Sequence, residues 1–160
     1  NPELYPVFPF RLFALNRPNA DWALEALERR TDRGANGWRQ DDIFMTYLGR
    51  TDDAMEYLVS RARTSNPESR FPAFWGPNYD WIPDQDHGGV LIKTLQSMLM
   101  QCDGREILLL PAWPVGWEAD FELRAPYRTT VRGSIRGGEI VDLEVSPSER
   151  RNDVRIMNSR

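Results

Sequence analysis

Pro83-Asp84-Gln85-Asp86-His87-Gly88-Gly89, running on through Val90 to Gln101 and then Gly104-Arg105-Glu106-Ile107-Leu108-Leu109-Leu110-Pro111, is the stretch on which the fold turns. Leu91, Ile92, Leu95, Met98 and Leu99 recur at helical spacing, so the glycine pair opens an amphipathic helix. Asp103-Gly104 is a turn, and Glu106 to Leu110 reads as a short buried strand. Immediately upstream, Ser65 to His87 holds four prolines (Pro67, Pro72, Pro77, Pro83), five aromatic side chains and four acids, with neither helical nor strand period. A loop of this size inside a compact domain is usually functional.

Further upstream the pattern is helical. Asn1 to Leu15 is broken by Pro2, Pro6 and Pro9. From Asn19, a candidate cap, Trp22, Ala23, Ala26 and Leu27 form an apolar stripe that ends at Gly34 and Gly37. Trp38 to Leu48 is expected as a second helix with Ile43, Phe44, Tyr47 and Leu48 on one side. Gly49 closes it, Thr51 or Asp52 can cap the next, and Ala54, Met55, Leu58, Val59 and Ala62 continue the period. So short a connection makes the two an antiparallel hairpin. Downstream, Val131 to Ile135 and Ile140 to Val145 alternate apolar with polar across Gly137-Gly138, a hairpin signature. The charged tail after Ser146 is expected to fray. The fold class expected is therefore mostly α with a C-terminal β-module, divided into 1–103 and 104–160. Four helices with broad apolar stripes need covering, which implies upstream helices or another subunit as a partner.

Composition bounds the function. The chain has 160 residues, 41% hydrophobic and 28% charged, with a net charge of −4. Those figures exclude disordered, collagen-like and disulfide-dense classes. No apolar run is long enough to cross a bilayer, so no membrane is expected as a partner. The chain opens Asn1-Pro2-Glu3, which fits a cleaved targeting segment or a larger precursor. Cys102 is the single cysteine, so neither an internal disulfide nor a cysteine-based zinc site can form. An acidic chain without a basic stripe is not a nucleic-acid binder. Lys93 is the one lysine among twenty basic residues, a bias read as genome composition. Six tryptophans are the better functional clue.

The sharpest chemistry lies between Phe71 and Gly89. Asp80, Asp84 and Asp86 converge on a helix start, where unpaired N–H groups favour negative charge, and His87, the single histidine, stands beside them. Carboxylates among Trp75, Tyr79 and Trp81 suit water activation beside a sugar ring, whose C–H faces pack on aromatic surfaces. The plainer alternative is that Asp86 caps the helix, the other acids are solvated and the tryptophans are core. Asp84 and Asp86 mimic the first two ligands of a calcium loop, but Gly88 stands where the third oxygen belongs, so no metal is assigned. A second cluster, Asn36 to Asp42, puts Asp41 and Asp42 where the helix dipole favours them and offers Trp38 and Arg39 to a ligand's ring face and hydroxyls. His87 reads equally as a hydrogen-bonded structural histidine or a proton carrier. Cys102 reads as buried rather than reactive. Nothing resembles a Ser–His–Asp order, a phosphate loop or a nucleotide fingerprint, so no cofactor is expected.

In order, these landmarks resemble the C-terminal part of a family 95 glycoside hydrolase or a sister of that (α/α)6-barrel group. The residues that carry the resemblance are Gly37-Trp38, Leu48-Gly49-Arg50-Thr51-Asp52, Ile82-Pro83-Asp84-Gln85-Asp86-His87-Gly88-Gly89, a helix ending Met98 to Gln101, and Leu109-Leu110-Pro111-Ala112-Trp113-Pro114. They span roughly Gly34 to Val145. The resemblance implies part of an (α/α)6 toroid of helical hairpins followed by a small antiparallel sheet. It implies inverting hydrolysis of a plant or host polysaccharide or oligosaccharide, with Asp84 as general base and Asp86 its rival, and with the general-acid glutamate upstream. Gln85-Asp86-His87 replaces the family's Gly-Asn-Phe, which points to a sister family. Trp38, Trp75, Tyr79 and Trp81 would shape the sugar site, and Arg39, Asn78 and His87 would bond its hydroxyls. Such a role suits an extracytoplasmic location. The alternatives are a non-catalytic carbohydrate-binding segment and a phosphorylase, epimerase or lyase.

Overall fold

The computed structural model describes residues 2–65, 67 and 85–157. The chain forms two compact units, Asn1–Ser97 and Met98–Arg160.

In the first unit a 3-10 turn at Pro2–Leu4 leads through irregular turns to helix α1 (Ala20–Arg29), then α2 (Asp41–Tyr47), α3 (Thr51–Arg63) and α4 (Gln85–Leu99). The proline-broken start is part of the core. Leu4, Val7 and Ala14 are buried, Leu15 N–H donates to the Tyr47 carbonyl, and the Phe8 and Tyr47 rings meet edge to face at 5.7 Å. Proline here blocks helix without blocking packing. Each large apolar side chain buried in this way contributes about 1.5–3 kcal/mol. Ala23 and Leu27 are buried on α1, and all seven residues of α2 are buried.

Two local expectations are corrected. Asn19 sits at positive φ and makes no side-chain cap bond. The second helix starts at Asp41, not Trp38, because the Gly37 and Arg39 carbonyls accept hydrogen bonds from the Arg61 guanidinium instead of from a helical turn.

The second unit contains β1 (Met100–Asp103), β2 (Glu106–Leu109), β3 (Ala119–Ala125), β4 (Thr129–Arg136), β5 (Glu139–Ser146) and β6 (Val154–Ile156). They form two three-stranded sheets, ordered β1-β2-β6 and β3-β4-β5. The hairpin across Gly137-Gly138 is present, with both glycines at positive φ as a two-residue type I′ connection requires. Val131, Gly133 and Ile135 of β4 are buried while Arg132 and Arg136 face out, the period-2 alternation of a sheet with one wet face. The expected fraying after Ser146 is corrected for the described residues, 147–157. Ser148–Asp153 is a 3-10 helix, and β6 pairs in parallel with β2. Buried Arg150 secures that turn by donating to the Thr129 hydroxyl at 2.9 Å and the Arg105 carbonyl at 3.0 Å.

The expected mostly-α class with part of an (α/α)6 toroid is overturned. The described residues give four α-helices, two 3-10 helices and six strands in two small sheets, a small α/β arrangement with one α2–α3 hairpin instead of a succession of hairpins. The apolar stripe of α2, which suggested a larger helical assembly, is buried within its own unit, where the N-terminal turns bring Phe8 against Tyr47.

Candidate functional site

The site is built around two adjacent carboxylates at the start of α2. Asp41 and Asp42 are both fully buried. Taking a carboxylate out of water costs several kcal/mol unless a cation and hydrogen bonds replace the lost solvation. Each acid has its own arginine.

Asp41 Oδ1 accepts from Arg30 Nε just beyond α1, and Arg30 also donates to the Leu27 carbonyl. The other oxygen, Asp41 Oδ2, is buried and has no hydrogen-bond partner among the described residues. Burial pushes the Asp41 carboxyl above its ordinary 3.8, with Arg30 pulling against that shift.

Asp42 faces Arg61 near the end of α3. Arg61 Nε donates to Asp42 Oδ2 at 2.9 Å and Nη2 to Oδ1 at 3.3 Å, a fork-to-carboxylate arrangement with both side chains 0% exposed. Burial also raises the Asp42 carboxyl above 3.8, and the Arg61 charge opposes it. The remaining donors of Arg61 reach backbone: Nη1 donates to the Gly37 carbonyl at 2.8 Å and Nη2 to the Arg39 carbonyl at 2.7 Å. These two carbonyls flank Trp38.

His87, in the first turn of α4, joins the same group. Its Nε2 lies 2.9 Å from the Arg61 carbonyl and its Nδ1 3.4 Å from Arg61 Nη1. A carbonyl only accepts and a guanidinium only donates, so the ring carries its proton on Nε2 and accepts on Nδ1.

Around Asp41 the surface opens into a hollow of about 260 Å³, lined by the Tyr5, Trp38 and Phe44 rings and by Asp32, Arg39, Gln40 and Asp41. That is slightly below the range of drug-sized pockets, about 300–1,000 Å³, and has room for one small ring. Trp38 is 56% exposed and so presents aromatic surface. Arg39 is braced by Asp32 at 2.7 Å and by the Arg33 carbonyl at 3.3 Å.

Of the residues expected at the site, Trp38 and Arg39 lie side by side in this hollow. Asp86 is exposed in the first turn of α4. His87 is buried with both ring nitrogens engaged, so it lies in the interior and not on a ligand-facing surface. Asp84, Trp75, Asn78, Tyr79 and Trp81 lie outside the described residues. Asp41 and Asp42 were expected in the cluster with Trp38 only as acids favoured by the helix dipole, and Arg30 and Arg61 were not expected there. The sequence carried a signal for one of them: the buried positions of α3 are Ala54, Leu58 and Arg61, which puts a cation in an apolar stripe at i, i+4, i+7. Among the described residues no group of three or more His, Cys, Asp or Glu side chains is placed to hold a metal, and no helix is long and apolar enough to cross a membrane.

No protein-family model matches the chain, and no curated protein matches it.

Proposed function

We propose that the chain is a segment of a carbohydrate-active enzyme, an inverting glycoside hydrolase, and that the hollow beside Trp38 seats one sugar ring. The observation that carries this is the exposed Trp38 ring next to Arg39, Gln40 and Asp41 in a hollow of single-ring size. Sugar C–H faces pack on an indole, and the ring's hydroxyls need convergent donors and acceptors. Arg39 supplies donors and Gln40 both a donor and an acceptor, while the Asp41 carboxylate is buried behind them. The hydrolytic part rests on the resemblance to family 95 glycoside hydrolases, with Asp84 as general base, Asp86 as its rival and the general acid upstream. An inverting pair holds acid and base about 6.5–9.5 Å apart with a water between. A covering partner, an upstream segment or another subunit, belongs at Ile92 and Leu95, which are exposed on α4.

A non-catalytic saccharide-binding segment is the second reading. It is favoured by the pairing of both acids in the hollow with arginines, Asp32 with Arg39 and Asp41 with Arg30, which suits them to hydrogen bonding more than to proton transfer.

The test is calorimetry of the complete protein, including the upstream segment that would carry the general acid, with a panel of neutral and acidic oligosaccharides, alongside NMR of the anomeric products. Binding that weakens at least tenfold in Trp38→Ala, with product of inverted configuration that disappears in Asp84→Asn, is the expected result. Binding without product selects the second reading. No binding by any saccharide at millimolar concentration refutes both.

A further inference from the structure

Among the described residues, Arg61 joins the start of α2, the loop around Trp38 and the first turn of α4. It leaves α3 fully buried and spends its donors on three different segments. Two go to the Asp42 carboxylate at the start of α2, at 2.9 and 3.3 Å. One goes to the Gly37 carbonyl at 2.8 Å and one to the Arg39 carbonyl at 2.7 Å, so the backbone is held on both sides of Trp38. The last contact is His87 Nδ1 at 3.4 Å, while the Arg61 carbonyl takes the Nε2 proton of the same ring at 2.9 Å.

We infer that Arg61 is a positioning residue that couples the Trp38 wall of the hollow to the first turn of α4, the turn that carries Asp86. Apolar packing alone is non-directional and lets a short irregular segment such as Gly37 to Gln40 settle in several ways. A planar guanidinium with fixed donors selects one arrangement in which all its acceptors are met together. A change at His87 is therefore transmitted to Trp38, although the two side chains belong to different elements and His87 does not line the hollow.

Treating the hollow as a sugar site rests on the function proposed above, but the test needs no ligand, so the two can fail separately. The full chain is labelled with 5-fluorotryptophan, and the Trp38 resonance is identified by its loss in Trp38→Phe. His87 is the only histidine, so one set of ¹⁵N signals reports its tautomer without assignment. The expected result is a neutral ring protonated on Nε2. His87→Leu should move the Trp38 fluorine resonance by more than its linewidth. His87→Gln, whose amide can accept from the guanidinium and donate to the carbonyl, should restore it. In an Arg61→Lys background, His87→Leu should produce no further movement, because the connection passes through the guanidinium.

A protein that is merely destabilised shows no rescue by His87→Gln and no dependence of one substitution on the other. Should His87→Leu fail to fold, Arg61→Lys alone decides: it must shift the Trp38 resonance and release the single His87 tautomer into a mixture. A ring protonated on Nδ1, or a Trp38 resonance unmoved by whichever of these variants fold, overturns the inference.

Discussion

Arg61→Met is the substitution whose cost the structure bounds most closely. Methionine keeps the unbranched stem and removes all the donors. The first consequence is a fully buried Asp42 carboxylate without its cation, and breaking a buried pair from one side costs about 3–5 kcal/mol. The second is two backbone carbonyls, of Gly37 and Arg39, deprived of their donors at about 1–3 kcal/mol each. These losses share one side chain and do not add, so the expected cost is about 4–6 kcal/mol at pH 7. That is a large part of the about 5–15 kcal/mol that stabilises a typical domain.

The cost depends on pH with a definite sign. Asp42 already titrates above its ordinary 3.8 because of burial, and Arg61 is the main influence opposing that shift. Without Arg61 the folded-state value rises further. A carboxyl raised on folding favours the native state while it is protonated, and that contribution is lost as pH rises through the raised value. Arg61→Met should therefore be less destabilised near pH 4.5 than at pH 7. Adding Asp42→Leu removes the stranded charge and should recover the carboxylate part of the loss but not the carbonyl part. Urea unfolding at both pH values, followed by tryptophan fluorescence and circular dichroism, measures all three variants. An Arg61→Met cost below about 1 kcal/mol at pH 7, or one equal at the two pH values, would refute the account of the buried pair.

Asp41→Asn should flatten the pH dependence of stability between pH 4 and 7, since the wild-type carboxyl, raised by burial, loses its favourable contribution as pH climbs through that interval; a denaturation series across it gives the slope. Gly133→Ala in β4 places a Cβ 2.7 Å from the Asp142 carbonyl oxygen and 2.9 Å from the Phe121 ring, and because the first of these is backbone the sheet itself must shift. The expected loss is about 1–3 kcal/mol, read as a lower melting temperature of the strand-rich unit.

Much of the secondary structure was legible in the sequence because it rests on local rules. The Gly137-Gly138 hairpin follows from a turn that only residues tolerant of positive φ can make. The presence of α1, α3 and α4 follows from apolar spacing, although Trp22 of the α1 stripe and Ile92 and Leu95 of the α4 stripe are exposed. What misled was the step from stripes to assembly. A stripe shows which face is apolar, not what covers it, and in α2 the cover includes Phe8 from a segment whose prolines mark it only as non-helical. The tail was hidden for a related reason. Its charge suggests solvent, yet Arg150 is buried where the Thr129 hydroxyl and the Arg105 carbonyl are waiting, and the short β6 then pairs in parallel with β2, with Arg155 3.6 Å from Glu106 across the pair.

The site shows the same division. Trp38 and Arg39 could be singled out because an exposed aromatic and a cation beside a helix start are local features. Asp42 and Arg61 could be paired only in three dimensions, since 19 positions separate them. Charges inside an apolar core contribute little net stability compared with well-packed hydrophobic side chains of similar volume, so their presence calls for another cause. Here the cause is directional. The loop from Gly37 to Gln40 has no regular backbone ladder of its own, and the carbonyls on both sides of Trp38 point at one guanidinium. An apolar replacement could fill the same space but could not tell one setting of that loop from its neighbours. The buried arginine thus gives the backbone on both sides of Trp38 one fixed setting, which is what the proposed sugar site requires of that wall.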